Sequence, residues 1–130
     1  MIDENVVRLT LKLTAPLNLA AGLVFARPAS SAAGLAGIPA ATPPVYAWML
    51  GAMIALFGVA YGWMSVQPQI DRPLLALGAA GKASVVVIAG VLWLAGDVPG
   101  RFLMLISGDL AFAGVWFAWL GNRQAATATR

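Results

Sequence analysis

Two charged residues stand inside stretches that are otherwise apolar. Lys82 lies within Leu74 to Gly96, LLALGAAGKASVVVIAGVLWLAG, and Asp109 lies within Phe102 to Leu120. An ammonium group can neutralise a carboxylate or hold a polar headgroup. A carboxylate in a dry site is a candidate proton carrier. Asn18 and Tyr61 are the polar groups in the two earlier apolar stretches that could join them. The chain has no cysteine and no histidine. Disulfides, zinc–thiolate sites, iron–sulfur clusters and thiol redox chemistry therefore have no residues to carry them. The usual haem or copper ligand and the usual proton shuttle at neutral pH are missing too. No metal site and no catalytic residue can be assigned.

These groups need a frame that tolerates charge in apolar surroundings. Of the 130 residues, 61% are hydrophobic and 10% are charged. Soluble domains carry about 25% charged residues, and so short a chain cannot bury this much apolar surface in a water-soluble core. The surplus must face lipid. The 14 glycines and 8 prolines agree, since both are more frequent in membrane helices than in soluble ones. The net charge of +3 is dispersed. Without a basic stripe, nucleic-acid binding is not expected. The start, MIDENVVRLTLK, is acidic before it is basic and shows no cleavage site after a short apolar core, so no removable signal peptide is read.

The pattern predicts a single all-α domain over residues 1–130: an integral membrane four-helix bundle with short loops. The spans are placed at about residues 6–27, 45–66, 74–96 and 102–120. The first is the least clean. Arg8 and Lys12 share a face, Asn18 lies near its middle, and Pro16 allows a bend. The connector ASSAAGLAGIPAATPP has room for one helical turn around Ser31 to Leu35. The second span carries Gly51-xxx-Ala55 and Gly58-xxx-Gly62, small-residue pairs that let two helices approach closely. They share one face, and packing within the monomer is the preferred reading. The tail GNRQAATATR has little to bury and is expected to fray.

Four spans put both termini and the second-to-third loop on one side. Arg8, Lys12, Arg72, Arg123 and Arg130 gather there, against Arg27 and Arg101 on the other. The positive-inside rule then places both termini in the cytoplasm, as expected for a multi-pass protein of a bacterial inner membrane. Trp48 and Trp93 are expected near the outer interface, and Trp63, Trp116 and Trp119 near the inner one.

At 1.5 Å per residue, Lys82, Asp109 and Asn18 lie about 12, 16 and 14 Å deep, with Tyr61 about a turn nearer the cytoplasm. A bare charge there costs on the order of 3 kcal/mol. Turning the groups inward and pairing them costs least. A Lys82–Asp109 ion pair is predicted, with Asn18 or Tyr61 as hydrogen-bond partner. Such a layer is either a structural clamp that fixes helix register or a site for protons or a lipid-soluble ligand. The clamp is preferred, because an adjacent ammonium holds Asp109 charged. Gly78-Ala-Ala-Gly81-Lys82-Ala83 resembles part of a phosphate-binding loop but has alanine at 76 and 83, where the motif needs glycine and Ser or Thr. Gly78 and Gly81 instead thin the helix so that a neighbour can approach Lys82.

Several short motifs together resemble the small four-span bacterial membrane proteins called DoxX-like. They are the basic first span with Asn18, Phe57-Gly58…Tyr61, Pro68…Arg72, Gly81-Lys82, and Gly108-Asp109 with Phe112 and Trp116. The resemblance implies a four-helix membrane fold. It also implies a link to quinone or thiol redox systems, or a small subunit beside a larger enzyme; without cysteine, the thiol role does not fit. Three functions follow. The preferred one is a non-enzymatic accessory or structural subunit, packed against other integral membrane subunits or against itself as a homo-oligomer. The second is a small dimeric proton-coupled transporter using Asp109 and Lys82. The third is a protein that binds a quinone or lipid, the only cofactor-like ligand expected, between Lys82, Tyr61 and Asn18.

Overall fold

The computed structural model describes residues 2–128, with side-chain surroundings for residues 2–122. It is all-α, with no strand among the described residues. The helices are α1 (Glu4–Phe25), α2 (Ser31–Ala36), α3 (Pro44–Val66), α4 (Arg72–Ala95) and α5 (Gly100–Ala128). α2 fills the connector where one helical turn was expected. Pro16 sits inside α1 without ending it. α5 continues past Leu120, where the fourth span was expected to stop. The tail expected to fray, residues 121–130, is instead helical as far as Ala128; the side chains from Arg123 onward, and residues 129–130 altogether, lie outside the described residues.

Local chemistry sets the helix limits. The Asp3 side chain accepts from the Asn5 N–H at the start of α1, Ser30 accepts from Ala33 N–H for α2, and Asp71 accepts from Leu74 N–H for α4. Each satisfies a backbone donor that the helix cannot. Prolines at the starts of α3 and α4 remove N–H groups that would have had no helical partner. Gly37 and Gly96 end α2 and α4 in the left-handed conformation, at φ 80° and 83°, where a side chain would be strained.

α1 packs along α3, and α4 along α5; α1 also touches α5. All three contacts are antiparallel. Arg8 lies beside Ser65, Ala15 beside Gly58 and Gly22 beside Gly51. On the other pair, Arg72 lies beside Leu120 and Lys82 beside Asp109. Two helical hairpins thus meet, with the start of α1, the α3–α4 turn and the far end of α5 at one end of the bundle.

Small residues explain the tightness of α1 on α3. A Cβ added to Gly51 would lie 2.5 Å from the Gly22 carbonyl oxygen, and one on Gly58 would lie 2.9 Å from the Ala15 oxygen. Ala55 closes on Gly22 in the same seam. Gly62 makes only ordinary contact with Ala15. The small-residue face thus packs within the chain.

Among the described residues, three helices are long and apolar enough to cross a membrane: Pro44–Val66, Arg72–Ala95 and Gly100–Asn122. α1, expected as a fourth, is not among them. Glu4, Arg8, Lys12 and Asn18 dilute its apolar character. The apolar core is lopsided. Val7, Leu11, Met64, Leu75, Trp116 and Trp119 pack together at the end that holds the α3–α4 turn. Trp116 and Trp119 are core residues, 0% and 3% exposed, which corrects their assignment to an interfacial belt. Trp48, Trp63 and Trp93 are exposed, as that assignment requires.

Candidate functional site

The polar layer is assembled from every long helix. Lys82 of α4 is 5% exposed. Its Nζ donates to Asp109 Oδ1 of α5 at 2.5 Å and to Asn18 Oδ1 of α1 at 3.3 Å. The Asn18 Nδ2 donates onward to the Ile54 carbonyl of α3 at 3.2 Å. That carbonyl is one turn from Gly58, whose missing side chain lets α1 come this close. One ammonium therefore draws α1, α4 and α5 together, and Asn18 extends the link to α3.

Of the two expected hydrogen-bond partners, Asn18 meets the ammonium and Tyr61 does not. Its hydroxyl donates to the Gly78 carbonyl at 3.5 Å and makes no hydrogen bond to Lys82 or Asp109. Its ring instead lies 5.5 Å from Lys82 Nζ, with the Phe112 ring at 5.7 Å. Two aromatic faces thus add electrostatic support to a cation removed from water. The Tyr61 ring also meets Trp116 at 5.0 Å and Phe57 at 5.9 Å, so the aromatic side of the core cluster abuts the ion pair. Gly78 is needed here, since a Cβ would fall 2.7 Å from Tyr61 Cε1. Gly81 is not: a Cβ there would meet nothing within 4 Å. Close approach beside Lys82 therefore depends on Gly78 and not on Gly81, because no neighbouring atom comes near the position a Gly81 side chain would take.

The pair is unequal. The side chain of Asp109 keeps 32% of its surface exposed, against 5% for Lys82. Asp109 lies on the same face of α5 as buried Ile106, Ala113 and Trp116. The carboxylate thus belongs to the inner face of the bundle, at the edge of the region the core cluster fills. No group of three or more metal-ligating side chains occurs among the described residues.

Three polar anchors escaped the sequence reading. Arg8, expected only as an interfacial cation, donates to the carbonyls of Ser65, Gln67 and Pro68 at 3.2, 2.6 and 3.0 Å and pairs with Glu4 at 2.7 Å. It satisfies carbonyl groups at the end of α3 that the helix cannot. Arg72 donates to the Leu120 carbonyl at 2.9 Å and lies 5.2 Å from the Trp119 ring. Trp116 Nε1 donates to Thr10 Oγ1 at 2.8 Å. The available signal was the spacing of Thr10, Thr14 and Asn18, four residues apart on α1, which lines polar groups along one face.

Comparison with protein-family models, with curated proteins and with solved structures gave no match. Functional inference therefore starts from the geometry of this layer.

Proposed function

We propose that the chain is a small non-enzymatic subunit of a membrane assembly. In this reading Lys82, Asp109 and Asn18 are a clamp that sets the register of its helices. Lys82 carries the reading. An ammonium this enclosed, with acceptors on two other helices and aromatic faces beside it, is suited to hold elements in place. It has little freedom to exchange with a substrate. Opposite charges inside a membrane also avoid the cost that either would meet alone.

Four crossings fit this role. α3 is long and apolar enough to span, and α1 lies against it from Arg8 to Gly22. A helix of 22 residues is about 33 Å long, enough for a hydrocarbon core of about 30 Å. Whatever carries α3 across carries α1 with it, despite its charges: Arg8 is spent on the α3 end, and exposed Lys12 can extend its ammonium to the interface. The bias of Lys and Arg puts both termini in the cytoplasm of a bacterial inner membrane, as a DoxX-like protein would have them. Partners are other integral membrane subunits or further copies of the chain. Gentle solubilisation of native membranes, followed by sizing and identification of co-purifying proteins, tests this. A lone monomer under those conditions rejects it.

The exposure of Asp109 favours one second reading, a proton-coupled carrier in which Asp109 exchanges the proton and Lys82 tunes it. Asp109→Asn is then expected to abolish proton-linked uptake in vesicles. Uptake that survives the substitution removes the carrier reading.

A further inference from the structure

Thr14 is 0% exposed, and its Oγ1 has no hydrogen-bond partner. A buried hydroxyl without a partner is costly enough to be uncommon. Its two neighbours on the same face of α1 are both satisfied. One turn before it, Thr10 accepts from Trp116 Nε1 and donates to the Val7 carbonyl. One turn after it, Asn18 accepts from Lys82. Thr14 thus sits on a polar ladder between an occupied rung and the ion pair.

The groups beyond it have capacity to spare. An ammonium has three protons, and Lys82 places two, on Asp109 and Asn18. Asp109 uses Oδ1, and its Oδ2 accepts no hydrogen bond from a side chain described here. Thr14 lies four residues, about 6 Å of rise, from Asn18, which accepts from the Lys82 ammonium. Two hydrogen bonds in series through one water span nearly that distance. Buried waters characteristically take two to four such polar partners.

We propose that Thr14 and the Lys82–Asp109 pair share a buried water molecule. The water accepts a hydrogen bond from the remaining Lys82 N–H and donates one to Thr14 Oγ1. The layer is then a hydrated site, and Thr14 is one of its binding residues.

Isosteric replacement separates this from an orphaned hydroxyl. Thr14→Val keeps the shape and removes the hydroxyl. If the water is held there, the variant in lipid nanodiscs loses about 3 °C or more of Tm. Thr14→Ser keeps the hydroxyl and loses only a buried methyl, so its Tm loss is the same in the parent and in a Lys82→Met, Asp109→Leu background. In that background the Thr14→Val loss disappears, because the water has lost its charged partners. In the parent protein, a water-to-hydroxyl cross-peak at Thr14 is expected by NMR. A Tm that rises or does not move in Thr14→Val overturns the proposal, because the hydroxyl was then only a cost. A loss of equal size in the neutral background overturns the link to the ion pair.

Discussion

Lys82 is held by a carboxylate, an amide and two aromatic faces, and these supports are not interchangeable. Asn18 orients the ammonium, and only Asp109 neutralises it. Lys82→Met leaves the carboxylate without its countercharge in an apolar surround. It is expected to cost about 3 kcal/mol, the low end for breaking a buried pair, since Asp109 is partly exposed. Combining it with Asp109→Leu should recover most of the loss, because two apolar groups need no mutual compensation. Unfolding in mixed micelles measures both. A double variant as unstable as the single one would show that the layer depends on Asp109 for more than charge. Sequence placed Lys82, Asp109 and Asn18 at one depth, because depth follows from counting residues along helices. The turn of Tyr61 away from hydrogen bonding was not legible: it depends on Gly78 leaving space for the ring on a neighbouring helix.

At the scale of elements, α1 and α3 lock because backbone meets backbone. Gly51→Val would drive a side chain into the Gly22 carbonyl and the Ala26 methyl, which lie 2.5 and 2.8 Å from the added Cβ. Overpacking costs about 1–3 kcal/mol, and contact with backbone puts this case at the upper end. Gly114→Val, where nothing lies within 4 Å, should change the stability of the monomer by less than about 0.5 kcal/mol. A comparison of the two by thermal unfolding tests whether the seam or glycine content alone governs stability. The small-xxx-small spacing was readable in α3. Its partner residues Gly22 and Ala15 were not, since they are set by the antiparallel register of another helix. The role of Arg8 was hidden for a related reason: it looks costly alone, and the carbonyls of Ser65, Gln67 and Pro68 that satisfy it lie at the end of another helix.

For the whole molecule, topology makes a clean prediction. The chain has no cysteine, so single cysteines at Asn5, Ser31, Gln69 and Asp97 report their positions without background. If α1 crosses with α3, Asn5→Cys and Gln69→Cys should react with an impermeant thiol reagent from one side of the membrane. Ser31→Cys and Asp97→Cys should react from the other. Labelling of Asn5→Cys and Ser31→Cys from the same side would show that α1 does not cross. The lopsided core adds a mechanical expectation. The end with the α3–α4 turn holds the aromatic and aliphatic cluster and should resist hydrogen exchange longest, while the opposite end opens first.

Composition by itself determined that this chain is helical and has more apolar surface than it can bury, since 61% hydrophobic residues in so short a chain leave no other outlet. Residue counting also put Lys82, Asp109 and Asn18 at one level along their helices, where they do meet. Only the tertiary structure decided which groups meet. It made Asp109 and Asn18 the acceptors for Lys82, turned the Tyr61 ring toward the ammonium, and buried Trp116 and Thr14 in the interior. Depth is a property of one helix, whereas facing is a property of two, and it depends on rotations and close approaches that no single stretch encodes.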